Sequence, residues 1–270
     1  MIYADHSLSQ KLERTEARAN AAVVESRARH SHEIAAEWIK IAGTYALFDG
    51  CVSPLTQTFC LGMFDEITET ELSSIESFFR KHGAAVNHEV SPLADISLMS
   101  MLNNRGYRPI ELSNVMFMSI DDQTRAYAKI SSISTRIINS GEEKLWAQTS
   151  AQGWLTEGVN LSDFMLDFGI ISARSQGGFA FIAEIDAKPI ATGMLFIFDD
   201  VALLGGASTA PEQRGLGAQS ALLQARLSFA QSRGCNIAMM CAAPGSQSQR
   251  NAEKNGFGVA YTRTKWHREI

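Results

Sequence analysis

The stretch Ala207-Ser208-Thr209-Ala210-Pro211-Glu212-Gln213-Arg214-Gly215-Leu216-Gly217-Ala218-Gln219-Ser220 reads as a strand end, a glycine-rich turn and a helix start in direct succession. The first backbone N–H groups of a helix lack intrahelical partners and carry about half a positive charge between them. Gly215 and Gly217 have no Cβ, so a diphosphate can come close to the main chain. The chemistry on offer is anion binding by peptide amides. A P-loop needs Lys-Ser or Lys-Thr after its last glycine, and Ala218-Gln219 supplies neither. A dinucleotide fingerprint needs a third small residue, for which Ser220 could serve. It also needs an acid about 20 residues on, and Ile237 to Met240 offers none. The plain alternative is that the glycines only let a helix pack on its strand.

The elements around this turn follow from periodicity. Ala218, Ala221, Leu222, Ala225 and Phe229 recur at helical spacing and predict a helix from Gly217 to about Ser232 lying on a sheet. Upstream, helices are expected at 142–156 and 161–175 and strands at 179–185, 190–198 and 201–207. The first half opens with a long helix from Ser7 to about Arg29, striped by Leu8, Leu12, Ala19 and Val23. A second helical stretch is expected at 33–41, then strands at 44–49 and 55–62. Thr68 caps a helix over 68–81, with Glu71 three residues on. A strand at 84–90, a helix at 93–104 and a strand at 109–120 follow.

The two halves close alike. Gly83 precedes one strand and Gly106-Tyr107 opens the next; Gly234 precedes 235–241 and Gly256-Phe257 opens 259–266. The separations, 106 − 83 = 23 and 256 − 234 = 22, agree. The expectation is an α/β protein with α+β mixed sheets, made of two related units in tandem, 1–122 and 127–270, joined by a polar linker at Gln123 to Ala126.

At 270 residues the chain is long enough for two cores. A net charge of -5 and a pI near 5.7, with no Lys/Arg run, lack the footprint of a nucleic-acid binder. Cys51, Cys60, Cys235 and Cys241 have no ligand spacing and read as reduced thiols; His30 and His32 lack a third ligand and read as turn residues, so no metal is expected. No apolar run reaches the roughly 20 residues needed to cross a bilayer, and the N-terminus mixes acids and bases without an export signal, so a cytoplasmic location is expected.

Arg214-Gly215-Leu216-Gly217-Ala218-Gln219 after Thr209-Ala210-Pro211, with Asn255-Gly256-Phe257 before the closing strand, resembles the signature of the GNAT superfamily of acyl-CoA N-acyltransferases. The likeness runs from about Thr135 to Trp266. Gln219 stands where Gly or Ala is usual, and its side chain is expected to point away from the phosphates. The resemblance implies a V-shaped opening between the fourth and fifth strands for acetyl-CoA or another acyl-CoA. Pantetheine would pair with the backbone at Ala207, Ser208 and Thr209. The pyrophosphate would sit on the amides of Arg214, Gly215, Leu216, Gly217, Ala218, Gln219 and Ser220. The first half keeps the closing strands, but Asp65, Glu66, Glu69 and Glu71 stand where the turn would be and would repel a diphosphate. The N-terminal unit thus resembles a degenerate GNAT-like domain.

Acyl transfer needs a neutral amine placed against a thioester carbonyl and support for the developing oxyanion and leaving thiolate. Many family members carry a Tyr acid four residues before the Gly-Phe step; Ala252 stands there. Ser248, one helical turn earlier, is either a replacement hydroxyl or a solvated helix start. Tyr261 is either an acid or strand packing, and Asn251 is a candidate for bonding the cofactor. No acid occupies 201–207, so water-relayed deprotonation is the default, with Glu184 either a base or a surface acid. Trp38, Phe48, Trp146 and Trp154 either line an apolar acceptor pocket or pack the core. The expected function is N-acetyl or N-acyl transfer to a primary amine of a small molecule; the alternative is a non-catalytic acyl-CoA sensor. Neither nucleic acid nor membrane is an expected partner, and a homodimer is left open.

Overall fold

The computed structural model describes residues 4–120, 132–154 and 159–269, with 159–162 by backbone alone; the linker at Gln123 to Ala126 lies outside the described residues. In chain order the elements are α1 (His6–His30), β1 (Glu37–Ile41), β2 (Thr44–Phe48), β3 (Gln57–Phe59), α2 (Glu69–Lys81), β4 (Val86–Val90), α3 (Ser97–Asn104) and β5 (Arg108–Ser119). They continue with β6 (Ser134–Ile137), α4 (Glu143–Gln152), α5 (Val159–Ala173), β7 (Gly178–Ile185), β8 (Lys188–Phe198) and β9 (Val201–Thr209). A 3-10 turn (Pro211–Gln213), α6 (Ala218–Ser232), β10 (Ile237–Ala242), α7 (Gln247–Lys254) and β11 (Gly258–Arg268) complete the chain. The fold is mixed α/β with mixed sheet pairing. Two compact units form, one from Met1–Met118 with Met239–Ile270, the other from Ser119–Ala238.

In the first unit, Asp5 caps α1 by accepting from the Leu8 N–H at 2.8 Å, and Arg27, Arg29 and His30 sit in the last turn where the helix dipole favours cations. Helix α1 packs on β1, β2 and β3. Strand alternation sends Tyr45 and Leu47 to one face of β2 and Ala46 and Phe48 to the other, where Leu72, Ile75 and Phe79 of α2 and Leu102 of α3 complete a core. Thr68 and Glu71 close a reciprocal capping box at the start of α2.

The segment expected as a helix at 33–41 is instead β1. Its Ala35-Ala36-Glu37 run favours a helix locally, but Ala42 (φ 43) and Gly43 (φ 74) form a two-residue turn that pairs Ile41 with Thr44. Trp38 then stacks on Tyr45 with ring centroids 5.3 Å apart, a cross-strand contact that outweighs local propensity.

The sheet order in this unit is β1-β2-β3-β4-β11-β5-β10. The last strand of the chain thus lies between β4 and β5, antiparallel to both, with Thr264 opposite Val90 and Leu112. In the second unit β9-β8-β7-β6 are all antiparallel, α6 lies on β7, β8 and β9, and α4 packs on β8 and β9 with α5 against it. Strand β6, absent from the sequence reading, has only four residues.

No described helix is long and apolar enough to cross a membrane, and no described His, Cys, Asp and Glu groups could hold a metal ion. All four cysteines are free.

Candidate functional site

Strand β9 carries a bulge. Thr192 pairs with Ser208 and Met194 with Gly205, so Gly206 and Ala207 together oppose the single residue Gly193. Gly206 takes φ 57, the left-handed conformation that glycine adopts without strain. Gly206 and Ala207 are exposed, and Ser208 turns inward to donate its hydroxyl to Ser150 O at 2.6 Å. The chain leaves Thr209 through the 3-10 turn and reaches α6 at Gly217 (φ 91), which caps the helix without any side-chain bond. Since the first intrahelical bond runs from Ala221 N–H to Gly217 O, the amides of Ala218, Gln219 and Ser220 have no acceptor within the helix. Arg214 and Gly215 are exposed beside them, and the Arg214 guanidinium donates to Gly153 O at 2.9 Å, tying the turn to the end of α4.

Gln219 does not project freely. Its Nε2 lies 2.9 Å from Ser208 O, 2.9 Å from Thr209 Oγ1 and 3.3 Å from Thr192 O, so the side chain folds down onto the end of β9. Leu216 is exposed. The residues from Ala207 to Ser220 are therefore brought together at one end of the second unit, as amides and carbonyls rather than as reactive side chains. A cavity of about 490 Å³ opens in the same unit, walled by Gln148 and Thr149 of α4, Asp163 and Leu166 of α5 and Pro189 of β8.

Ser248, Asn251 and Tyr261 fall in the other unit. Ser248 and Asn251 are exposed on α7, where Asn251 Oδ1 accepts from Gln247 at 2.8 Å, while Ala252 is buried. Tyr261 is buried and donates its hydroxyl to Glu13 Oε1 at 2.9 Å; burial and the Glu13 charge raise its pKa above the usual phenol range. This pairing belongs to a buried cluster that the sequence reading missed. Arg263 lies 3.3 Å from Glu13, pairs with Glu16 and sits 3.4 Å from Glu89. Burial pushes the Glu13 pKa up to about 7 against the pull of Arg263. Glu13 and Tyr261 are 248 residues apart in sequence, so no local pattern announces them.

The remaining candidates have other work. Glu184 is paired with Arg136 at 2.9 Å, and Arg136 also holds Glu142. Trp146 is core, donating to Phe181 O at 2.8 Å, and Trp38 donates to Glu25 at 3.0 Å. Phe48 stacks on His82 in the first unit, whereas Trp154 is half-buried in the second. At the start of α2, Glu71 closes the cap and Glu69 pairs with Arg105.

Residues 142–257 match the model of the acetyltransferase (GNAT) family. That segment, less than half of the chain, is similar to GNAT acetyltransferase domains, and the similarity supports acyl transfer as the general chemistry. Several solved structures share the fold. A GCN5-related N-acetyltransferase from Kribbella flavida superposes with a TM-score of 0.61 at 16% identity, over 92% of this chain and 95% of that one. A GCN5-related N-acetyltransferase from Sphaerobacter thermophilus gives 0.56 at 14% identity over 79% and 71%. A tandem GNAT protein from the clavulanic acid biosynthesis pathway gives 0.54 at 16% identity over 74% and 69%. No curated protein sequence matches this one.

Proposed function

We propose that the chain transfers an acyl group from acetyl-CoA or another acyl-CoA to a primary amine of a small molecule. The observation that carries this reading is the uncapped start of α6 directly after β9, with Gly217 at φ 91 and the amides of 218–220 without helical acceptors. The residues fit the cofactor with one correction: the Arg214 amide already donates to Pro211 O at 3.3 Å, so the amides of Gly215 to Ser220 would hold the pyrophosphate, with the Arg214 side chain beside them, and the backbone of Ala207, Ser208 and Thr209 would take the pantetheine. When bound, acyl-CoA supplies an activated thioester. The chain's own part is to hold that thioester and the amine in register, which by itself is worth on the order of 7 to 11 kcal/mol in favourable cases. The cavity between α4 and α5 is our acceptor site, with the Asp163 carboxylate facing the amine while it is still an ammonium. Its deprotonation passes to water, since Glu184 is occupied by Arg136. Ser248 stays our candidate for protonating the thiolate. Tyr261 is the weaker one, because Glu13 holds its hydroxyl.

A second reading, an acyl-CoA sensor without turnover, is favoured by the buried Ala252 at the position where the family signature carries its acid. We also retain 1–122 and 127–270 as the sequence repeats, since two repeats that pair their closing strands would set β5 beside β11 as observed. A cytoplasmic location is part of the same reading.

Thermal shift with CoA thioesters tests the site. The parent should be stabilised and Gly217→Val should not, because a β-branched residue at φ 91 is strained and fills the approach to the amides. Equal shifts would reject the placement. Release of free thiol with a panel of amines separates the enzyme from the sensor, which would bind without releasing thiol.

A further inference from the structure

Helix α6 meets its sheet through Ala218, Leu222 and Ala230, as apolar helix faces do, but two polar residues share that face. Gln219 and Arg226 are 226 − 219 = 7 apart, two helical turns, so they stand in one row. Gln219 reaches Thr192 O and Ser208 O, the pair on one side of the β9 bulge. The Arg226 Nη1 donates to Met194 O at 3.1 Å and Gly205 O at 3.3 Å, the pair on the other side. A bulge interrupts the ladder, so this is where β8 and β9 hold each other least.

Arg226 is only 4% exposed, and no carboxylate among the described residues pairs with it. Burial lowers its pKa to about 10, which leaves it cationic at neutral pH. Burying a cation without a counter-ion is costly, and a Met of similar length would pack without that cost. Room for the guanidinium comes from Gly193, where a Cβ would lie 2.7 Å from Cζ.

We infer that Gln219 and Arg226 are positioning residues that pin both flanks of the β9 bulge to α6 and so fix the strand end relative to the turn at the start of the helix. This rests on the acyl-CoA reading, in which the turn holds the pyrophosphate and the strand end the pantetheine. One rigid link between the two sites lets the halves of a single ligand bind together without an ordering cost.

The test is calorimetric titration of the full chain and of Arg226→Met, Arg226→Lys, Gly193→Ala and Gln219→Ala with CoA. Parent and Arg226→Met are also titrated with the nucleotide half of CoA, adenosine 3′-phosphate 5′-diphosphate. Arg226→Met should weaken CoA about tenfold, the scale of one charge-assisted hydrogen bond. Its affinity for the nucleotide half should stay within about twofold, because the turn amides are untouched. Arg226→Lys should recover part of the loss, and Gly193→Ala and Gln219→Ala should weaken CoA in the same direction. Amide exchange at Ser208 and Thr209 should quicken in unliganded Arg226→Met. Equal weakening of CoA and the nucleotide half, or unchanged exchange at Ser208 and Thr209, overturns the inference. A parent that binds neither ligand removes the acyl-CoA reading and this role with it. A parent that binds CoA with variants that match it removes the positioning role alone.

Discussion

Two buried ionisable residues of the first unit should hide each other's effect on stability, and replacing either one should expose the other. His88 on β4 is fully buried, its Nδ1 is 2.8 Å from Thr58 Oγ1, and its Nε2 meets no partner among the described residues. Burial lowers its pKa from 6.5 to about 3. Between those values the unfolded chain takes a proton that the folded chain refuses, so this residue makes stability fall as pH falls. Glu13 works the other way. Its pKa rises from 4.5 to about 7, so in that range the folded chain keeps a proton the unfolded chain gives up, and stability falls as pH rises.

Each slope is about 1.4 kcal/mol per pH unit, and from pH 4.5 to 6.5 they cancel, although each residue alone would change stability by about 3 kcal/mol. Urea unfolding at pH 4.5, 5.5 and 6.5 reads this directly. Relative to the parent, His88→Gln should lose stability as pH rises and Glu13→Gln should lose it as pH falls. The two variants should diverge by about 5 kcal/mol across the window. Variant curves that run parallel to the parent would refute the assignment of either proton.

Gly153→Ala would place a Cβ 2.0 Å from Ser208 Oγ and 3.1 Å from Thr209 O, pushing α4 off β9. A loss of about 1 to 3 kcal/mol in urea unfolding, with a weaker thermal shift by CoA, is expected. Arg263→Met strips the cation that faces Glu13, Glu16 and Glu89 and should cost about 3 to 5 kcal/mol at pH 8 by the same unfolding assay. Thr68→Ala opens the cap of α2 and should cost about 1 kcal/mol, a fall in Tm of a few degrees in calorimetry.

Where the signal is local, the sequence was readable. Thr68 and Glu71 announce α2 because a cap is a contact within four residues, and the turn from Arg214 to Gly217 is visible because only glycine takes the φ it needs. Strand β1 was misread because helix propensity in Ala35-Ala36-Glu37 is local while its pairing with β2 is not. Strand β6 is too short for its alternation to register. Arg226 did leave a trace, a charged residue in the row of Gln219 and Leu222, but nothing nearby in sequence shows that its Nη1 reaches the strand carbonyls of Met194 and Gly205. The burial of Tyr261 beneath Glu13 joins opposite ends of the sequence and has no local trace.

The place of β11 between β4 and β5 bears on how the protein is made. Synthesis produces β4 and β5 first, then residues 120–257, and only afterwards the strand that separates them. At about 5–20 residues per second, the slot waits on the order of ten seconds on the ribosome. During that interval two strand edges offer unpaired N–H and C=O groups to any extended peptide in reach. The N-terminal segment therefore completes its sheet last, and a nascent chain stalled before residue 258 presents an adhesive, half-built surface that a holding chaperone would recognise.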